Sequence, residues 1–237
     1  MLFIFYGTIG IFMIIRSVTI ALISISLACG QAGKKQNGNS GVFLGLEKNQ
    51  KMDTTHFWKI MDNAFNIGGF ENSLREDAIL KQLISLTPSQ IQDFEIIFQQ
   101  MNQKASTWGN FAANTVIMGG STDDGFYYFR CWLISLGQKN FEETLKNPDY
   151  LATLDIPVEK SHGLAMAEFE ELISLSDQAY EKVTGKKPES DTTFPRDNAQ
   201  RLGLFYDSGT TMKGVEWVQN DELPKIVPNL CKKYEVE

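Results

Sequence analysis

Histidine, cysteine and proline are scarce in this 237-residue sequence, with 2, 3 and 7 copies. Two histidines exclude a histidine-rich metal centre and leave a His-dependent triad only His56 and His162 as bases. Three cysteines, none in a C-x-x-C pair, exclude a disulfide scaffold and a cysteine zinc site. Basic charge is short as well, since 22 Lys+Arg face 29 Asp+Glu for a formal net charge of −7. Affinity for phosphates comes largely from Lys and Arg, so nucleic acid is not an expected partner. The Walker loop, the dinucleotide glycine fingerprint, the G-x-S-x-G elbow and the H-E-x-x-H pair are all missing. No cofactor and no metal are therefore expected. What is present is 43% hydrophobic residues and 16 Phe, enough for one core in a chain of this length.

Residues 1–28 hold no Asp or Glu and one basic residue, Arg16, inside an apolar run from Leu2 to Ala28. Met13-Ile14-Ile15-Arg16 before the stretch Val18 to Ile25 has the shape of a short basic n-region and an apolar h-region, which makes Met13 a candidate translation start. The run closes on Ser26-Leu27-Ala28-Cys29-Gly30, similar to a bacterial lipobox whose cysteine becomes the lipidated N-terminus. Leu27 and Ala28 fit that pattern, whereas Ser26 stands where an aliphatic residue is usual. The first expectation is a lipoprotein signal peptide over 1–28 and a membrane anchor on Cys29, with the domain in the cell envelope facing periplasm or surface. A secreted chain and an uncut single-pass anchor are the alternatives. Residues 29–50 begin polar and glycine-rich and read as a flexible tether. Without 1–28 the formal charge becomes −8. Cys131 and Cys231 form either one disulfide or two buried thiols, and the apolar setting of Cys131 favours thiols.

Residues 51–237 read as an all-α domain, a compact set of orthogonal and antiparallel helices with a long C-terminal loop. Phe57, Ile60, Met61, Ala64 and Phe65 form one helical stripe, capped by Thr54 or Thr55 and stopped by Gly68-Gly69. A second helix runs through Leu74, Ala78 and Leu83. Thr87-Pro88-Ser89-Gln90 then supplies the N-cap, the N1 proline and the capping-box glutamine of a third, and the very short turn predicts these two as an antiparallel pair. A fourth helix spans Thr107 to Met118. A fifth follows Ser121-Thr122-Asp123-Asp124 and ends at Gly137, and a sixth closes at Pro148. The seventh is expected over 164–184, with Glu168, Glu170 and Glu171 at its positive end. Residues 186–213 read as an extended loop with a short strand at 202–206, before Trp217 and a last helical stretch over 225–234.

The densest segment pairs Trp108-Gly109-x-Phe111-Ala112-Ala113 with the unbroken run from Gly119 through Ser121-Thr122-Asp123-Asp124-Gly125-Phe126 and Arg130-Cys131-Trp132 to Gly137. With His56-Phe57-Trp58-x-Ile60, Pro148-Asp149-Tyr150-Leu151-Ala152, Tyr180-Glu181-x-Val183-Thr184-Gly185 and Leu223-Pro224-x-Ile226-Val227-Pro228, it strongly resembles the bacterial domain of unknown function 4240 family over residues 52–234. That resemblance implies no activity and no catalytic residues, because the family is uncharacterised. The leader departs from the many members that begin directly at the domain.

Asp123 and Asp124 have two readings. In one, Ser121 caps the fifth helix, Asp124 is the capping-box acid and both carboxylates face the positive helix end. In the other they bind a hard cation or act as acid and base, with Arg130 holding an anionic group. Phe126, Phe129 and Leu133 share a core face, which leaves Trp108, Tyr127 and Tyr128 as candidates for a ligand or partner surface. The first functional expectation is a non-enzymatic, membrane-tethered binding or accessory domain. The alternatives are a hydrolase or metal-dependent enzyme built on Asp123, Asp124 and Arg130, and an interaction protein that neutralises a basic toxin.

Overall fold

The computed structural model describes residues 46–158, 165–204 and 211–236. The leader, Cys29, most of the tether, His162 and Phe205-Tyr206 lie outside them. Among the described residues the elements are helical, with isolated bridges joining Thr107 to Lys213 and Val158 to Ala165. No described helix is long and apolar enough to cross a membrane.

The first helix, α1 (Thr54–Gly68), is capped by Asp53, whose side chain accepts the His56 N–H, rather than by Thr54 or Thr55. Asp53 has the extended backbone an N-cap needs, and its carboxylate favours the positive helix end. Helix α2 (Asn72–Leu83) follows, and α3 (Pro88–Ala105) starts on the expected Thr87–Gln90 capping box with both reciprocal bonds in place. The expected pairing of α2 with α3 is wrong: α2 packs on α1, and α3 on helices from later in the chain. The side of α2 that carries Ala78, Ile79, Gln82 and Leu83 is buried. Gln82 fixes it to α1, donating to the Ile60 carbonyl at 3.3 Å and accepting from Asn63 at 3.1 Å.

Helix α4 (Trp108–Met118) leads through Gly119, in the left-handed region, to α5 (Asp123–Ser135). All of α5 from Phe126 onward is buried except Tyr128. Aromatic rings run through the core from Trp108 by Phe111, Phe126, Phe129 and Trp132 to Phe70, with successive centroids 5.1–6.4 Å apart. Helix α6 (Gln138–Lys146) has Gly137 at its N-cap and takes its cap from α1, because Asp62 Oδ1 accepts the Gln138 N–H at 2.7 Å. A 3-10 turn, Pro148–Thr153, then lies against α4, where a Cβ on Gly109 would meet Pro148 Cγ at 2.7 Å.

The long seventh helix is shorter than expected. Residues 165–169 are not helical, Glu170–Ser174 is a 3-10 turn, and only Leu175–Thr184 forms α7. Fully buried Phe169 donates its N–H to the Tyr128 carbonyl at φ −148°, outside helical space, and its three-residue spacing to Leu172 suits a 3-10 turn as well as a helix. The expected loop contains α8 (Pro195–Arg201), opened by a proline at N1, while Leu202 lies in a turn and is 62% exposed. The last stretch is split by Pro228 into α9 (Leu223–Ile226) and α10 (Pro228–Lys233). Cys131 and Cys231 are buried thiols, not joined in a disulfide.

Helix α10 is held by Asp149, which is 6% exposed. Its carboxylate accepts from the backbone of Asn229 at 3.1 Å, from the Asn229 side chain at 2.5 Å and from the backbone of Leu230 at 2.9 Å. Charge-assisted bonds to otherwise unpaired helix-start amides are the strong kind. Asp149→Ala is expected to lower unfolding stability by about 2–3 kcal/mol. Urea denaturation checks this, with a reduced midpoint at unchanged slope.

Candidate functional site

The glycine turn between α4 and α5 sets the geometry. Gly119 and Gly120 both have positive φ and send their N–H groups to the Thr115 carbonyl, closing α4. The cap of α5 is Thr122, whose hydroxyl accepts the Gly125 N–H at 3.0 Å. Ser121 was the expected cap, but its hydroxyl is taken by the Asn114 amide at 2.5 Å. Asp124 is accordingly no capping-box acid. Asp123 and Asp124 occupy the first turn of α5, exposed to solvent and near its positive end.

Arg130 does not reach the surface beside them. It is 2% exposed, its Nε donates to the Phe126 carbonyl, and its guanidinium lies 4.8 Å from the Phe126 ring centroid and 5.1 Å from that of Tyr127. Tyr127, expected on a partner-facing surface, is wholly buried. Its position on α5 meets α3, so this helix buries more than one face. Trp108 is half-buried and belongs to the core cluster, edge-on to Phe111 and Trp217, with its carbonyl accepting the Trp217 indole N–H at 3.0 Å. Tyr128 is half-buried with its polar tip outside. Its hydroxyl donates to Glu170 Oε1 at 3.2 Å.

Glu170 and Glu171 open the 3-10 turn rather than an α-helix; Glu168 and Glu170 lie beside the start of α5, and Glu171 acts on Glu76 of α2. Gly125 leaves room for Glu168, since a Cβ there would stand 3.3 Å from Glu168 Oε1. The segment is tied down by the Phe169 N–H on Tyr128 and by Asn72, whose amide donates to the Glu168 carbonyl at 2.7 Å. Burial first, then the charge of Glu170, raises the Glu168 carboxyl above its ordinary range. Burial, then Glu171 and Asp77, does the same for Glu76 on α2. The Tyr128 phenol is raised by desolvation, by its bond to Glu170, and by the charges of Glu170, Asp124 and Glu168. These groups make one acidic shelf running from α2 past residues 168–171 to the start of α5. Among the described residues none of its carboxylates forms an ion pair.

Beneath the shelf lies Arg75, which sequence reasoning missed. It is fully buried, with Nη1 donating to Ser135 at 2.7 Å, Nη2 donating to Asn72 and the guanidinium 5.1 Å from the Phe169 ring centroid. Burial pulls it down to about 10, which leaves it charged at neutral pH. Its signal in the sequence is position, since Arg75 precedes buried Ala78 and Ile79 by three and four residues. His56 stands apart at the start of α1, with Nδ1 2.7 Å from Asp53. Among the described residues no three His, Cys, Asp or Glu side chains converge as a metal site. Asp123, Asp124 and Arg130 share one helix, the two acids exposed in its first turn and the arginine buried.

The sequence model of the family described as "Protein of unknown function (DUF4240)" matches residues 52–182, more than half of the chain. The chain belongs to this family. No curated protein and no solved structure matches it.

The capping geometry gives an ordered expectation. Thr122→Ala removes the acceptor of the Gly125 N–H and is expected to cost about 1 kcal/mol. Asp123→Asn and Asp124→Asn remove only favourable interactions with the helix end and are expected to cost less than Thr122→Ala. Urea denaturation of the three variants checks the order, which reverses if Asp124 is the true cap.

Proposed function

Family membership carries no activity, and we propose that this chain is a non-catalytic binding domain, held at a membrane by lipidated Cys29, whose acidic shelf receives a basic protein partner. One observation carries the reading. Glu76 and Glu168 are each made harder to ionise, first by burial and then by neighbouring carboxylates. The repulsion from those neighbours opposes the folded state and is relieved by a cationic surface laid against the shelf. Tyr128, at its centre with an outward hydroxyl, is the residue type that anchors interfaces.

The enzyme alternative has less support. Asp123 and Asp124 are exposed, Arg130 is packed between aromatic rings, and among the described residues no histidine stands beside the shelf. A basic toxin is one form the partner can take. The membrane tether is supported by the leader and by the Leu27-Ala28-Cys29-Gly30 sequence.

Two experiments test the two halves of the proposal. Cys29→Ala is expected to move the chain from the membrane fraction to the soluble fraction, and undiminished membrane retention contradicts the lipid anchor. For the partner, the full chain is crosslinked in native membranes and compared with an Asp123→Asn, Asp124→Asn, Glu170→Gln variant. A Lys- and Arg-rich protein should be recovered with the native chain at about 0.1 M salt, and lost at about 1 M salt as the screening length shrinks. Equal recovery with the triple variant overturns the acidic shelf as the docking surface.

A further inference from the structure

Glu95 plays no part in the surface reading. It lies on the apolar stripe of α3, four residues after Ile91 and three before Phe98, and is 1% exposed. Its Oε1 accepts from the Gln99 amide at 2.8 Å and its Oε2 from the Ser176 hydroxyl at 2.6 Å. Ser176 is buried on α7, so one carboxyl ties α3 to α7 through hydrogen bonds from neutral groups. The same Gln99 amide stands 3.4 Å from the hydroxyl of Tyr127 on α5.

The elements packed on α3 bring few charges to this point. Asp177, the next residue on α7, opposes ionisation of Glu95, and Arg196 on α8 favours it. The two are themselves joined, since Asp177 accepts the Arg196 backbone N–H at 3.2 Å. Helix α5 contributes the Tyr127 phenol, with the Arg130 guanidinium over its ring. The buried residues of α1 are apolar: Phe57, Trp58, Ile60, Met61 and Ala64. Burial dominates and pushes Glu95 up to about 7, against the smaller opposite pull of its bonds to Gln99 and Ser176.

We propose that Glu95 is a proton-operated lock: with its carboxyl protonated it seats α7 and α8 on α3, and loss of the proton loosens that cover while α1 and α2 stay in place. A carboxylate sealed from water is unfavourable, and opening the cover returns it to water. The folded-state value lies above the ordinary carboxyl value of 4.5. The closed form is therefore fully favoured below pH 4.5 and weakens as pH rises through about 7. Between pH 4.5 and about 7 each pH unit raises the opening constant up to about tenfold, and above about 7 it levels off.

Hydrogen exchange of the full chain in detergent tests the lock, with rates corrected for the intrinsic base-catalysed increase. Between pH 5.5 and 8.5 protection over residues 175–201 is expected to fall about 30-fold, while that of α1 stays level. In Glu95→Gln the fall is expected to vanish. Ser176→Ala keeps the carboxyl but removes a donor that favours its ionised form, and is expected to move the transition to higher pH. Protection over 175–201 that is independent of pH, that falls equally in Glu95→Gln, or that falls toward acid overturns the proposal. So does a Ser176→Ala transition at the native pH.

Discussion

Burial of α5 on nearly every side is the constraint from which the rest of the fold follows. A helix with one wet face can carry polar residues along its length, but a helix enclosed from Phe126 to Ser135 must place them at its ends. Thr122, Asp123 and Asp124 gather at one end and Gly137 marks the other for that reason. Ser135 and Arg130 inside the helix have partners, whereas the Trp132 indole N–H is buried without one among the described residues. Ser135 accepts from Arg75 and donates to the Trp132 carbonyl, while Arg130 bonds to Phe126 and lies over two rings. Enclosing Phe126, Phe129, Trp132 and Leu133 is worth about 1.5–3 kcal/mol per side chain, and α3, α4 and the 165–169 segment are arranged to provide it.

A helix wrapped in short elements creates a second requirement, because each short element has helix ends to satisfy. Several are satisfied from a distance. Asp62 on α1 caps α6 and Asp149 caps α10. Gly137 shows why the cap of α6 comes from elsewhere: its φ is +86°, and a Cβ there would meet the Asp62 carboxylate that supplies the cap and push it aside. Those carboxylates are fixtures of the architecture, unlike the exposed pair at the start of α5.

Local chemistry was legible in the sequence and distant chemistry was not. The start of α3 was readable because a capping box involves residues three apart. The all-α class was readable from periodicity. The cap of α5 was misplaced by one residue, since Ser121 and Thr122 are equally good acceptors in isolation and the choice is made by Asn114, which occupies Ser121. Tyr127 was misread because one-faced burial was assumed for a helix that packs on more than one side. Glu95 was visible as an acid inside the stripe from Ile91 to Met101, but its meaning depends on Ser176, 81 residues away. The bonds of Asp149 to Asn229 span 80 residues and left no local trace.

The acidic shelf is the one arrangement that folding does not explain. Helix dipoles account for Asp123 and Asp124, which gain from the positive end of α5. They do not account for Glu168, which burial and Glu170 both disfavour as an anion, nor for Glu76, disfavoured by burial, Glu171 and Asp77. Arg75 beneath the shelf does not neutralise it, because its donors are turned inward to Ser135 and Asn72. The surface charge is thus left unbalanced by the interior charge closest to hand. Burial first, and then neighbouring carboxylates, leave Glu76 and Glu168 harder to ionise in the free chain, and the proposed cationic partner would set charge of the opposite sign against them.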